Sequence, residues 1–140
     1  VSEDYYTIEI GKASLLKEGN DITIITYGAG VHWALDTLKT HPNISADLID
    51  LRTLQPLDEA AIFTSVRKTG KVIFLQEDSL FGSMSSDVSA LITENCFEFL
   101  DAPVKRVASI ETPIPFQGEL EKQYLPKHRF ASELKTLIDY

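Results

Sequence analysis

Nine residues in the middle of the chain, Asp50-Leu51-Arg52-Thr53-Leu54-Gln55-Pro56-Leu57-Asp58, end a strand, turn the backbone and start a helix. Ala46, Leu48 and Leu51 give the segment before them a short β-like run, which puts Asp50 and Arg52 near the carboxyl end of a strand. Pro56 has no N–H to donate and stops further pairing. Asp58 is then a natural N-cap, with Leu57 before it and Ile62 four positions into the helix, the spacing of a hydrophobic staple. A helix from Asp58 to Thr69 needs a left-handed residue after it, and Gly70 stands there. Val72-Ile73-Phe74-Leu75 follows as a wholly apolar strand. This is a βαβ unit, which requires a parallel pair of strands covered by a helix.

The same alternation runs through the rest. Ala13 to Leu16 reads as a strand and Glu18-Gly19-Asn20-Asp21 as a turn. Ile22 to Tyr27 reads as a buried strand, and Val31, Ala34, Leu35 and Leu38 repeat at helical spacing before Pro42. Met84, Val88, Leu91, Ile92, Asn95 and Phe99 mark a longer helix, Val104 to Ile110 a last strand, and Phe130, Leu134, Leu137 and Ile138 a closing helix. Such alternation builds a three-layer α/β/α domain around a mostly parallel sheet. No repeat or linker interrupts residues 1–140, which read as one domain; 140 residues, 44% of them hydrophobic, can bury roughly two-thirds of the unfolded surface. Twenty-one acidic residues against 13 Lys and Arg argue against nucleic acid or an anionic membrane as the main partner and for a basic protein. One cysteine excludes an internal disulfide and a cysteine-based zinc site, in keeping with a reducing compartment. No stretch is long enough to span a bilayer, and there is no signal-like start. The chain opens on Val1 rather than Met, so a piece of a longer polypeptide is expected.

Asp50-Leu51-Arg52-Thr53-Leu54 with Pro56-Leu57-Asp58, then Ser65-Val66 and Lys68-Thr69-Gly70, resembles the C-terminal, transketolase-like domain of the E1 β subunit of thiamine-diphosphate-dependent 2-oxo acid dehydrogenases. Glu3-Asp4 with Gly11-Lys12-Ala13, Glu18-Gly19 with Asp21-Ile22-Thr23, Ala102-Pro103 with Arg106-Val107, Thr112-Pro113 with Pro115, and Leu125-Pro126 extend the likeness over nearly the whole chain. Val31-His32, Glu94 with Cys96-Phe97, and Ile138-Asp139-Tyr140 tilt it towards the branched-chain (2-oxoisovalerate) type. It departs at Gln76-Glu77-Asp78, where relatives commonly read His-Glu-Ala, and at Leu80-Phe81-Gly82-Ser83, where a double glycine is usual.

The resemblance implies a five-stranded sheet of order 1-3-2-4-5 with strand 1 antiparallel at the edge. The turn at Gly19-Asn20, taken locally, would instead pair strands 1 and 2 as a hairpin; the family order is the one expected. The resemblance also implies an enzyme only in the full-length protein, a pyruvate or 3-methyl-2-oxobutanoate dehydrogenase E1 that passes an acyl group to lipoyl-E2. Thiamine diphosphate and Mg²⁺ would sit between the α subunit and the N-terminal domain of β. This domain would hold no catalytic residue, cofactor or metal, and would serve assembly and docking. Its implied partners are the E1 α subunit or domain, a second E1 β copy, and the E2 subunit-binding domain gripped through Asp101 and Tyr140. The implied compartment is the bacterial cytoplasm or the mitochondrial matrix. The equivalent domain of a transketolase or deoxyxylulose-phosphate synthase shares the fold and is a competing assignment.

Read for chemistry, the residues offer one crevice, the switch point between strands 2 and 4 where open α/β sheets usually bind ligands. Gly28-Ala29-Gly30 opens a helix there, whose free N–H groups can hold an anion. A dinucleotide fingerprint needs a third glycine where Trp33 stands, so a tight strand-to-helix turn is the better reading. Glu77 and Asp78 end strand 4; a structural ion pair of Glu77 with Arg52 is expected rather than acid–base work. A small-ligand or nucleotide module using Gly28–Gly30 and Glu77 is the alternative function. His32, His41 and His128 lack ligand spacing, Gly82 to Ser86 is no nucleophile elbow, and Cys96 falls on an apolar helix face. Lys127, His128 and Arg129 oppose the dipole of the closing helix, and contact another subunit or pair with Glu119 and Glu121.

Overall fold

The computed structural model describes residues 4–140; Glu3 of the entry segment lies outside them. Five strands, β1 (Ser14–Lys17), β2 (Ile22–Thr26), β3 (Ala46–Asp50), β4 (Val72–Leu75) and β5 (Lys105–Val107), form one sheet of order β1-β3-β2-β4-β5. β1 runs antiparallel to β3 and the other pairs are parallel. The helices are α1 (Ala29–Thr40), α2 (Glu59–Thr69), α3 (Met84–Cys96), α4 (Gly118–Tyr124) and α5 (Lys127–Ile138). The apolar stripe expected to run to Phe99 ends its α-helix at Cys96 and finishes as a 3₁₀ turn over Phe97–Phe99. The short α4 has no counterpart in the sequence reading.

Period-2 alternation in strands apolar on both faces divides the core in two. Ile24, Leu48 and Ile73 pack under α1 and α5 with Ala34, Leu38, Phe130 and Leu134. Ile25, Ile49 and Phe74 pack under α2 and α3 with Ile62, Val66, Val88 and Ile92. Punctuation sets the limits of α2 as the sequence dictates. Asp58 caps it by accepting from the Ala61 N–H at 3.2 Å, and Gly70 follows at φ 68°.

Asp47 decides which strand pairs with which. This buried carboxylate on β3 accepts the Gly19 N–H at 2.9 Å, the Ser65 hydroxyl at 2.6 Å and the Lys68 ammonium at 2.6 Å. Ser65 is in turn 2.6 Å from the Thr23 hydroxyl, which meets Thr69 at 2.7 Å. The turn between β1 and β2 is thereby tied over the amino end of β3, where Asp21 N–H also donates to the Ser45 carbonyl at 2.7 Å. Only glycine fits at position 19, because a Cβ would overlap the backbone of Ser45 and Ala46. A hairpin of β1 on β2 would leave this anchorage unmade, so β1 pairs with β3 instead.

Asp47→Asn keeps the shape but cannot accept from all three donors. It is expected to lower stability by about 1–3 kcal/mol, read as the shift in urea midpoint, with Lys68→Met smaller because Lys68 is partly in water.

Candidate functional site

Four strand ends meet at the carboxyl edge of the sheet, and the loops leaving them are pinned by their own polar groups. The Thr26 hydroxyl donates to the Leu75 carbonyl at 2.8 Å, joining β2 to β4. Gly30 lies directly over it: a Cβ there would overlap Thr26 Oγ1 and sit 3.2 Å from the Leu75 carbonyl. Glycine at 30 is therefore a packing requirement of α1 against the strand ends. Gly28 has φ 56° with open space around it and no side-chain cap on α1.

Gln76, buried at the end of an otherwise apolar strand, donates to the Ser79 carbonyl at 2.6 Å and accepts the Ser85 N–H at 3.0 Å. One amide thus fixes both ends of the loop leading into α3. Ser109 does the same from β5, its hydroxyl donating to the Glu77 carbonyl at 2.5 Å and its N–H to the Asp78 carbonyl at 3.0 Å. Glu77 and Asp78 are held by their backbones and keep their carboxylates exposed.

Glu77 and Gly28 line different hollows at this edge. Glu77 and Asp78 line a crevice of about 320 Å³ with Tyr27, Ile114, Glu121, Tyr124 and Leu125. Gly28 lines the other with Glu9, Val31, His32, Asp50 and Arg52. The residues expected to share a ligand site, Gly28–Gly30 and Glu77, are therefore not brought together.

Nor are Arg52 and Glu77 joined. The four ion pairs among the described residues are Asp36–Lys39, Asp47–Lys68, Lys105–Glu133 and Glu119–Lys122. β2 lies between β3 and β4, so the two strand ends are not neighbours. Arg52 also takes up a left-handed φ of 56°, its N–H donating to Asp50 Oδ1 at 3.0 Å, and its side chain is exposed. Arg129 likewise leaves Glu119 and Glu121 alone. Its guanidinium donates to the carbonyls of Ala108 at 2.7 Å, Gln123 at 3.0 Å and Leu125 at 3.3 Å, neutralising the end of α4.

Tyr27 closes the crevice floor, edge-on to Phe74 with ring centroids 6.2 Å apart. Burial first, then the carboxylates of Asp78 and Glu77, hold its phenol above the usual 10.0. Cys96 is a fully buried core thiol. Among the described residues no group of three or more His, Cys, Asp and Glu could hold a metal ion. Asp101 and Tyr140 lie at the opposite, amino end of the sheet. The Asp101 N–H donates to the Gly70 carbonyl at 2.8 Å, and its carboxylate rests against the Gly70 Cα, leaving no room for a Cβ. Next to it Lys71 reaches the Ile138 carbonyl at 2.6 Å, drawing in the end of α5. Tyr140 is 73% exposed beside a hollow of about 210 Å³ that includes Pro103 and Lys105.

A doubly covered sheet in this order, with its first strand reversed, defines a class of domain. The chain belongs to the transketolase C-terminal domain family, whose model matches residues 11–129. It is 45% identical over 128 residues to the acetoin:2,6-dichlorophenolindophenol oxidoreductase subunit beta of Bacillus subtilis (strain 168), covering 90% of this chain and 37% of that protein. It is equally 45% identical over 128 residues to the 2-oxoisovalerate dehydrogenase subunit beta of the same organism, covering 89% of this chain and 39% of that one. A solved split-gene transketolase, an inactive beta4 tetramer, superposes with a TM-score of 0.80 at 29% identity over 99% of this chain and 44% of its own. The chain spans about two-fifths of the length of these two relatives.

With Arg52 and Glu77 apart, thermal melts of Glu77→Gln and the native chain should coincide within about 0.5 kcal/mol, whereas Arg52→Gly should stabilise by up to about 1 kcal/mol by relieving the left-handed backbone. Tyr27 sets a sign at high pH. Its folded-state pKa is raised, so the unfolded chain releases this proton first. Stability is intact below about pH 10 and falls as pH climbs towards the folded value. Tyr27→Phe should flatten that fall, measured as urea midpoints on either side of pH 10.

Proposed function

We propose that this chain is the C-terminal assembly and docking domain of the E1 component of a 2-oxo acid dehydrogenase complex. In that complex a branched-chain 2-oxo acid or pyruvate is oxidatively decarboxylated and the acyl group passes to lipoyl-E2. The observation that carries the reading is 45% identity to a 2-oxoisovalerate dehydrogenase subunit beta over 89% of the chain. Its surface supports an assembly role. Tyr5, Ile10, Phe81 and Phe116 are each at least 74% exposed, large apolar side chains that neighbouring subunits can cover. The partners in this reading are the E1 α subunit or domain, a second E1 β copy and the E2 subunit-binding domain, in a bacterial cytoplasm or a mitochondrial matrix.

Thiamine diphosphate does not fit the acidic crevice at the switch point. The crevice at the switch point is walled by Glu77, Asp78 and Glu121, and a diphosphate entering it would meet like charge. In this reading the cofactor and its Mg²⁺ belong to the rest of the enzyme, and the role of this domain is non-catalytic. Docking is assigned to the amino end of the sheet, where Asp101 and the terminal residue Tyr140 both face solvent. An exposed carboxylate there speeds encounter with a basic partner and fixes its register more than it deepens affinity.

The equal identity to an acetoin oxidoreductase subunit beta favours a second reading, in which the same assembly domain serves an enzyme acting on acetoin. Assays of the full-length enzyme on 3-methyl-2-oxobutanoate, pyruvate and acetoin separate the two.

Calorimetric titration of the 140-residue chain with thiamine diphosphate and Mg²⁺ should give no binding heat; a stoichiometric isotherm would overturn the assembly reading. Binding of the E2 subunit-binding domain to assembled E1 should weaken about three- to tenfold with Asp101→Asn at low salt, with the difference shrinking at high salt. Equal affinity and equal salt dependence remove Asp101 from the interface.

A further inference from the structure

The crevice at the switch point carries three carboxylates and no charge to neutralise them. Glu77 and Asp78 come from the end of β4 and Glu121 from α4, and no Lys, Arg or His lines the roughly 320 Å³ between them. None of the three enters any of the four ion pairs among the described residues. Of the cations near them in sequence, Lys122 pairs with Glu119 at 2.6 Å, Arg129 is spent on backbone carbonyls, and Lys127 does not line the crevice.

Acidic residues on an open surface disperse their charge into water, but these share their crevice with two phenols. Tyr124 is only 9% exposed and its ring forms part of the crevice wall. Its hydroxyl bonds to no protein group among the described residues, and no buried side-chain polar atom there lacks a partner. The hydroxyl therefore opens towards the crevice, where it waits for a donor that the chain does not supply. Tyr27, half-buried on the same wall, also finds no hydrogen-bond partner for its hydroxyl among the described residues, and burial, then the Asp78 and Glu77 carboxylates, raise its pKa.

A metal ion does not suit the arrangement, because these carboxylates are not gathered closely enough to coordinate one. A larger cation suits it better. Guanidinium and ammonium groups present three to five donors and rest favourably near aromatic rings, and the apolar side chains of Ile114 and Leu125 can accompany an alkyl stem. We propose that this crevice binds an organic cation, a guanidinium or primary ammonium on an apolar stem, held by Glu77, Asp78 and Glu121 beside Tyr27 and Tyr124. Its source is either a free amine or an arginine side chain of another protein chain. This assignment does not depend on the E1 reading.

The test is a titration of the 140-residue chain at fixed ionic strength, followed by amide NMR, with two probes: agmatine and the tripeptide acetyl-Ala-Arg-Ala-amide. Saturable shifts confined to residues 27, 77, 78, 121 and 124 are expected, with a Kd on the order of 1 mM. The Glu77→Gln/Glu121→Gln double variant should bind about tenfold more weakly or worse, and Tyr124→Phe several-fold more weakly, each with an otherwise native spectrum. Glu98→Gln, an exposed acid elsewhere, should bind as the native chain does. Equal saturation by both probes points to a free amine, and saturation by the peptide alone to an arginine from a neighbouring chain. Unsaturable shifts spread over all the acidic residues, or undiminished binding by both crevice variants, would overturn the proposal.

Discussion

Asp47 is a buried acid at the amino end of an inner strand, and the arrangement of the domain follows from how it is satisfied. Taking a carboxylate out of water costs several kcal/mol unless its lone pairs are filled. Here they are filled from three directions: the β1–β2 turn through Gly19, and α2 through Ser65 and Lys68. An apolar residue at 47 could pack as well, but it would not distinguish β1 beside β3 from β1 beside β2. The carboxylate makes that distinction, because only one arrangement brings all three donors to it. Specificity of strand order, rather than net stability, is what such a buried pair contributes.

With the amino end of the sheet fixed, the carboxyl end is fixed by a second set of buried polar groups that are all neutral. The side chains of Thr26, Gln76 and Ser109 bond only to backbone: Thr26 joins β2 to the end of β4, Gln76 fixes the loop that follows β4, and Ser109 ties that loop to the segment after β5. These bonds order the loops without consuming any charge. Glu77 and Asp78 are consequently rigid in backbone; Asp78 spends one carboxylate oxygen on the Ser79 N–H at 2.7 Å, and its other oxygen and the Glu77 carboxylate remain available to something outside the chain.

The elements and their order were readable because punctuation and periodicity agree. Asp58 and Gly70 bound α2 where the caps require, and the unbroken Val72–Leu75 run could only be a strand covered on both faces. The adjacency of β1 was not readable from its own turn. It depends on Asp47, whose partners are 18 to 28 residues away, though the polar spacing of Ser65, Lys68 and Thr69 on one helix face was the available signal. The Arg52–Glu77 pair failed for a related reason: position along a strand says nothing about which strand intervenes. Glu121 reads in the sequence only as a partner for the basic start of the closing helix, and Tyr124 carries no signal at all, because α4 is too short to show a period; neither can be placed beside Glu77 and Asp78 before the chain is folded.

A sheet covered by helices on both faces has only its ends and its outer edges left for meeting other molecules. β5 is three residues long and β1 is irregular between Leu15 and Lys17, which makes both edges poor templates for strand addition. Leu15 and Leu16 nonetheless leave apolar surface on β1, Leu15 beside the hollow of about 460 Å³ that α2 leaves over Asp47 and Ile49 and Leu16 beside the hollow at Gly28 and Arg52. The amino end presents Asp101 and Tyr140, and the carboxyl end presents the acidic crevice with Phe81 and Phe116 nearby in the loops. A domain with its core closed and its exposed aromatic and acidic residues spread over both ends and one edge of the sheet can engage several neighbours at once. Stacking all of them on one face would force the neighbours to compete.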